Sequence, residues 1–272
     1  GGKMLPQYHI KLVEGDVAPY VLLPGDPKRV EVVASFWDEA HKVADNREYV
    51  TYTGVYKGAP ISCTSTGIGC PSTAIAMEEL ARVGAKTFIR IGTCGAYQDS
   101  INIGDIGIFD SAARYDGASH LYAPPQFPAV ATHEVVSACI QAGKNLRYHY
   151  HVGTTRSADT FYAKHPRPGS SFNNFWQSDW RYHFEDLKRL KIIAGEMEAS
   201  VIFVLARVWG LRAGGISVVL QSAFKSEEKT KDLGKYDPEK FIDHSKEHIE
   251  KLSLAGSETV RILYEEDQKK DQ

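Results

Sequence analysis

Short apolar runs of strand length alternate with apolar positions spaced as on one face of a helix along most of this chain. Tyr20-Val21-Leu22-Leu23 is such a run and ends at Pro24-Gly25. Asp26-Pro27 then predicts a helix start, because Asp accepts backbone N–H bonds at an N-cap and Pro fits the first helical position. Val30, Val33, Ala34 and Trp37 give that helix one apolar face. Ile61 to Thr66 reads as a strand running into Gly67-Ile68-Gly69, and Pro71 opens a helix with Ala74, Met77 and Ala81 on one side. Thr87 to Ile91 is a further strand that again runs into glycine, at Gly92 and Gly95, and Asp105 to Ala112 is another. Glu196 to Trp209 is apolar almost all round, which predicts a buried helix closed by Gly210. Gly215 to Leu220 reads as a late buried strand, and a long helix after Pro238 carries Ile242, Ile249, Leu252 and Leu263 on one face.

Strands and helices in alternation predict a single α/β domain with a central mixed β-sheet flanked by helices. In such folds ligands gather at strand ends, where glycine-rich loops meet helix starts. No repeat or linker divides the chain. Residues 1–7 and 265–272 read as flexible tails, the latter because every side chain in it is charged or polar.

Composition narrows the partners. A formal net charge of −2 offers no basic field to nucleic acid or to an anionic membrane. Any phosphate bound here must therefore meet a local cluster of cations. No apolar run is long enough to span a bilayer. Cys63, Cys70, Cys94 and Cys139 show neither CxxC nor zinc spacing and read as buried, reduced thiols of a cytoplasmic protein.

Three strand-to-loop corners carry chemistry. They are Pro24-Gly25-Asp26-Pro27-Lys28-Arg29, Ser65-Thr66-Gly67-Ile68-Gly69 and Arg90-Ile91-Gly92-Thr93-Cys94-Gly95. Glycine lets a ligand approach backbone N–H groups, and the arginine fork matches phosphate oxygens. None is a P-loop or a dinucleotide fingerprint. In isolation, Arg29 reads more readily as a solvated helix residue. Arg90 is more telling, since an arginine inside an apolar strand must find a partner. Gly195-Glu196-Met197-Glu198 precedes the buried helix, where a carboxylate either complements the helix dipole or is drawn inward to bind a diol.

Taken together and in order, Pro24-Gly25-Asp26-Pro27-x-Arg29, Thr66-Gly67-Ile68-Gly69-x-Pro71-Ser72, Arg90-Ile91-Gly92-Thr93 and Glu196-Met197-Glu198 closely resemble the nucleoside phosphorylase family, over about Tyr8 to Leu263. That family includes uridine phosphorylases and hexameric purine nucleoside phosphorylases. Asp116-Gly117-Ala118-Ser119, Phe127 to Ala131 and Asp159-Thr160-Phe161-Tyr162 resemble the uridine branch, as does the inserted stretch between Tyr162 and Glu196. The resemblance implies a partly barrel-like sheet and reversible phosphorolysis of a nucleoside, uridine above all, with inorganic phosphate as co-substrate and no organic cofactor.

Roles follow by position. Gly25, Arg29, Arg90 and Thr93 match the phosphate site, joined by Arg47 from a neighbouring subunit. His9, also across the interface, matches a histidine at the ribose 5′-hydroxyl, and Met197 and Glu198 match the ribose floor. Cys94, Gly95, Phe161, His165, Arg167 and Glu196 fall at the base, with Thr93 beside them. Glu48, Ile68 and Ser72 match a structural potassium site between subunits. A homodimer that shares its active sites, and that can build a trimer of dimers, is the assembly implied. Two departures stand out: His165 occupies the place of a family Gln, and Ser222-Ala223 replaces the Asn-Arg of many uridine enzymes and the acidic residue of purine enzymes. A purine nucleoside phosphorylase, a nucleosidase of the same fold and a non-catalytic nucleoside-binding homologue are the alternatives. A nucleosidase would use water and has no need of three phosphate arginines.

Overall fold

The computed structural model describes residues 5–165, 168–222 and 245–272. Its ten strands form one mixed sheet: β1 (Tyr20–Leu23), β2 (Glu39–Asn46), β3 (Tyr49–Tyr56), β4 (Ala59–Thr64), β5 (Thr87–Ala96), β6 (Ile106–Tyr115), β7 (Ala129–Val130), β8 (Tyr150–Ala158), β9 (Ala194–Glu196) and β10 (Arg212–Ser222). The helices are α1 (Pro27–Ala34), α2 (Cys70–Arg82), α3 (Ala118–Tyr122), α4 (His133–Asn145), α5 (His183–Arg189), α6 (Ala199–Val208) and α7 (Ser245–Lys270). The α/β architecture and the mixed, partly barrel-like sheet are as the sequence predicts.

Strand β5 organises the molecule. Neighbour follows neighbour in the order β10-β6-β8-β9-β5, and β10 pairs with β5 again, so these five strands close into a ring. Strands β1, β4, β3 and β2 extend outward from β5 as a second wing. On that flank β1 pairs only with Thr87 to Arg90, and β9 pairs only with Gly95 and Ala96. Between them, Ile91 to Cys94 has no strand on this side, while β10 covers the other side throughout. A cleft at the point where strand partners change follows directly from this topology.

Helix α1 starts as predicted, with the Asp26 side chain accepting the Lys28 amide at 2.9 Å and Pro27 at the first position. Helix α6 is buried over its first eight residues, from Ala199 to Ala206. It begins at Ala199, three residues later than the apolar pattern predicts, because Gly195 and Glu196 are committed to β9 between β5 and β8. In α7, Ile249, Leu252 and Leu263 pack inward as expected; Ile242 and the start expected after Pro238 lie outside the described residues. The C-terminal tail expected from Glu265 is helix as far as Lys270. Asp267 holds it, accepting from Tyr20 at 2.5 Å and from Arg212 at 2.6 and 3.0 Å. All four cysteines are free and buried. Among the described residues no helix is long and apolar enough to cross a membrane.

Candidate active site

Two corners are bolted together at the mouth of the cleft. Strands β1 and β4 are parallel neighbours, and their loops continue the ladder: the Thr66 amide donates to the Pro24 carbonyl at 2.9 Å and the Gly67 amide to the Gly25 carbonyl at 3.0 Å. A Cβ on Gly25 would stand 3.4 Å from a carboxylate oxygen of Glu198, so this turn lies directly against the acid that leads into α6. Arg29, in the first turn of α1, shares the same field. Burial holds its guanidinium below the ordinary arginine value, Arg90 repels it, and Asp26 and Glu198 favour its charge. It remains a cation at neutral pH.

Arg90 is the last residue of β5 in register with β1, opposite Leu23. Its side chain is only 5% exposed. The guanidinium folds back over Gly92, where a Cβ would stand 2.5 Å from Nη2; only glycine leaves that space. Nε donates to Glu196 at 2.8 Å, and Nη2 stands 3.6 Å from Glu198 Oε1. Burial works against this charge, but Glu198 and Glu196 outweigh it and raise the guanidinium above its usual range. Arg90 Nη1 and Glu198 Oε2 are both buried with no hydrogen-bond partner among the described residues. A cation and a carboxylate thus stand side by side, each with a polar atom to spend on a ligand. Burial pushes the Glu198 carboxyl up to about 7; Arg90 pulls it down, Glu196 pushes further up, and the Gly69 and Met197 amides lower it.

Glu196, expected to line the base, is bonded to Arg90 and to the start of α6. Its side chain is fully buried. One oxygen accepts from Arg90 and from the amides of Glu198 at 2.8 Å and Ala199 at 2.9 Å; the other accepts from the Ser157 hydroxyl. The carboxylate meets the first amides of α6, where the helix dipole favours it. Glu196 therefore positions Arg90 and the Glu198 turn. Behind it runs a buried chain that the sequence reading missed. The Ser200 amide donates to Ser157 Oγ at 2.9 Å, and the Ser200 hydroxyl donates to Asp116 at 2.7 Å; Asp116 also takes the Ser119 amide at 2.6 Å. Cys70 Sγ donates to the Met197 carbonyl at 3.3 Å and fixes that half-buried residue.

Thr93, Cys94 and Gly95 follow Arg90 along β5, with Thr93 and Gly95 partly exposed and Cys94 buried. Burial pushes the Cys94 thiol up to about 12, so it is neutral. Register places Arg156, Gly195, Gly95 and Gln221 in one row across β8, β9, β5 and β10, on a common face. Among the described residues the space above Gly95 is open, the nearest atom to a Cβ there being Gln221 Cβ at 4.0 Å. The Tyr97 hydroxyl fills the place of a side chain on Gly195, and Arg156 Nη1 donates to it at 3.3 Å. Arg156 is buried over the Tyr115 and Phe184 rings, at 5.5 and 5.9 Å, with no carboxylate partner among the described residues. Neither Arg156 nor Tyr97 was singled out from sequence, although an arginine within the strand-like Thr154-Thr155-Arg156-Ser157 carries the same signal as Arg90. Phe161 is half exposed with its ring 5.1 Å from Tyr162, and His165 stands 5.6 Å from the Phe184 ring. Arg167 lies outside the described residues. In the stretch between Tyr162 and Glu196, Trp180 is buried against Phe175 at 5.6 Å while Phe172 is almost fully exposed.

His9 and Arg47 are not drawn to Arg90 within the chain; they stand together elsewhere. Arg47 is at the two-residue tip between β2 and β3, in the left-handed region with φ 56° and its side chain 63% exposed. Asn46 beside it donates to the His9 carbonyl at 2.7 Å. Glu79 of α2, also missed from sequence, takes His9 Nδ1 at 2.8 Å and the amides of His9 and Ile10 at 3.1 and 2.9 Å. Burial pushes the Glu79 carboxyl up, but these bonds outweigh it and hold it below the usual range. Glu48, Ile68 and Ser72 do converge. A Cβ on Gly67 would meet the Glu48 side chain at 2.9 Å and Ser72 Oγ at 3.2 Å, and Ser72 donates to the Ile68 carbonyl at 3.2 Å.

Residues 19–259 match the phosphorylase superfamily. The chain belongs to this family. Among phosphorylase-superfamily relatives, it is similar to the uridine phosphorylase of Thermococcus kodakarensis, with 46% identity over 97% of this chain and 89% of that one. It is 39% identical to the uridine phosphorylase of Escherichia coli, over 81% of this chain and 87% of the relative. It is 38% identical to the guanosine phosphorylase of Halorubrum lacusprofundi, over 89% and 94%. As a phosphorylase-superfamily enzyme it is a transferase that uses phosphate as co-substrate and needs no organic cofactor.

Proposed function

We propose that this enzyme catalyses the reversible phosphorolysis of uridine to uracil and ribose 1-phosphate. The observation that carries this reading is the buried Arg90–Glu198 pair, with Arg90 Nη1 and Glu198 Oε2 both left for a ligand. Arg29, Arg90, Gly25 and Thr93 hold phosphate, and Glu198 takes the ribose 2′- and 3′-hydroxyls above Met197. A phosphate oxygen bonds to the anomeric carbon as the carbon–nitrogen bond breaks, and the bond's electron pair leaves with the base. Positive charge grows on the sugar and is met by the phosphate anion that the arginines orient. This is positioning and electrostatics without a covalent enzyme intermediate. Cys94 and Gly95 floor the base, with Phe161, His165 and Arg167 at its edge.

The second subunit completes the site. His9 and Arg47 share one exposed corner, away from Arg90, which suits delivery of both to a neighbour's pocket in a homodimer and in a trimer of dimers. The carboxylate, carbonyl and hydroxyl oxygens of Glu48, Ile68 and Ser72 suit a structural potassium ion, which would brace that corner and take no part in bond breaking. Four buried free thiols suit a cytoplasmic enzyme.

Cleavage of a purine nucleoside is the second reading, favoured by the guanosine phosphorylase relative and by the open space above Gly95. Against it, neither Ser222 nor Ala223 is acidic, so no carboxyl is offered there to protonate a purine. Initial rates for uridine, thymidine, guanosine, inosine and adenosine, each with and without phosphate, decide between them. Uridine cleavage that requires phosphate is expected. Equal rates in phosphate-free buffer would overturn phosphorolysis, and faster cleavage of a purine nucleoside would overturn the uridine assignment.

A further inference from the structure

Across β10 from β5, three side chains converge that the proposed reaction does not use. Asp105 immediately precedes β6, and His149 and His151 flank the first residue of β8. The two strands are parallel, with Ile106 opposite Tyr150, so Asp105 falls beside His149. His149 and His151 are two residues apart, which puts both rings on one face of the strand. His151 Nε2 is 2.8 Å and His149 Nδ1 3.2 Å from Asp105 Oδ2, and the imidazole rings are 5.1 Å apart. All three potential ligand atoms lie within 4.8 Å of one another, and no other such group occurs among the described residues.

We propose that Asp105, His149 and His151 form a binding site for a divalent transition metal of the zinc class. Two imidazole nitrogens with one carboxylate oxygen is a donor set that suits zinc, nickel and copper over magnesium or calcium. Zinc bonds such ligands at about 2.0–2.2 Å in a tetrahedron, which sets ligand atoms roughly 3.3 Å apart. The present separations from Asp105 differ from that by a few tenths of an ångström, so small rotations of the rings suffice. The carboxylate is already oriented, because Oδ2 accepts the Asn102 amide at 2.9 Å, and such outer bonds fix the ligand a metal meets. His149 is 71% exposed, which leaves the fourth position to water. Lys251 is engaged with the carbonyl of the adjoining Gly104 at 2.7 Å.

The ion would also tie down a strand. Val219 of β10 exchanges backbone bonds with this turn, donating to the Asp105 carbonyl at 3.0 Å and accepting from the Gly104 amide at 2.8 Å. A metal on Asp105 therefore braces the end of β10 and raises thermal stability.

The test uses the full chain, stripped by a chelator and then dialysed. Titration calorimetry with Zn²⁺ alone should give one ion per chain, and Co²⁺ should give the visible absorption of a tetrahedral site. His151→Ala and Asp105→Asn should weaken Zn²⁺ at least tenfold and abolish the rise in melting temperature that Zn²⁺ causes. His149→Ala, at an exposed position where folding is not at risk, should do the same, whereas His41→Ala on the exposed strand β2 should change nothing. No binding to the parent protein, or binding that survives His149→Ala undiminished, would overturn the site.

Discussion

Replacing Arg90 by Ala separates what this residue does for the fold from what it does for the reaction. In the fold it neutralises two carboxylates in a place water does not reach, at 2.8 Å from Glu196 and 3.6 Å from Glu198. Removing one partner of a buried ion pair costs about 3–5 kcal/mol, because the charge left behind is unpaired. The lower part of that range is expected here, since Glu196 keeps the Ser157 hydroxyl and two amides, and Glu198 can take up a proton. In the reaction, loss of one oriented donor in a dry site costs about 100- to 1,000-fold in kcat. Urea unfolding measures the first quantity and initial rates the second, but both fall together and neither alone assigns the phosphate contact. Ligand-linked stability does. Phosphate at a hundred times its Kd should stabilise the parent enzyme by about 2.7 kcal/mol. In Arg90→Ala that increment should vanish. If phosphate still stabilises the variant as it does the parent, Arg90 does not bind phosphate and the reading of the cleft fails.

Other consequences follow from the same geometry. Gly92→Ala should displace the Arg90 guanidinium and lose phosphate-dependent stabilisation while the chain still folds, because the atoms a Cβ would meet are the movable end of a side chain; circular dichroism beside a phosphate titration checks both. Burial raises the folded-state value of Glu198 to about 7, so its contribution to stability is full below the ordinary carboxylate range and is lost as pH rises through about 7. Urea unfolding without phosphate should therefore show stability declining across that window, and Glu198→Gln should flatten the decline while lowering kcat/KM. Asp267→Ala should destabilise by about 1.5–3 kcal/mol, through loss of charged hydrogen bonds from Arg212 and Tyr20, and leave the KM for phosphate unchanged. Mixing Arg47→Ala with Glu198→Ala subunits should restore activity after exchange, since one site of each mixed dimer is then intact; no recovery would argue against shared sites.

Much of the frame was legible because burial leaves a periodic trace. Strands β1, β4, β5 and β10 and helices α1, α2 and α6 stand where apolar runs and helix-spaced faces predict them, within a few residues. Strand β2 was missed because Glu39-Ala40-His41-Lys42 faces solvent on both sides and leaves no apolar alternation to read. Strand β8 was missed for a related reason: its inner positions are Thr155, Arg156 and Ser157, polar groups that bond to partners distant in sequence. Helix α4 shows Val135, Ala138, Cys139 and Ala142 at helical spacing and could have been found. In the cleft, the motifs located Arg90 and Glu198. What Glu196 does was not legible, since its role is set by Ser157 on a different strand and by amides that only the start of α6 aims at it. The C-terminal tail misled for the same kind of reason: a polar stretch reads as solvent-exposed until Arg212 and Tyr20 are seen waiting for Asp267.

The change of partners along β5 divides labour within one strand. Arg90 is fixed where β1 still pairs with β5; Gly95 is fixed where β9 has taken over. The two ends of the cleft therefore answer to different neighbours, and substitutions at Tyr97, Arg156, Gly195 or Gln221 can reshape one end while the arginines stay in place. On the proposed reading of the cleft, selection could then exchange the nucleobase while the phosphate-binding end stays as it is. Relatives named for a pyrimidine nucleoside and for a purine nucleoside, at 46% and 38% identity to one chain, are the pattern such an arrangement leaves behind.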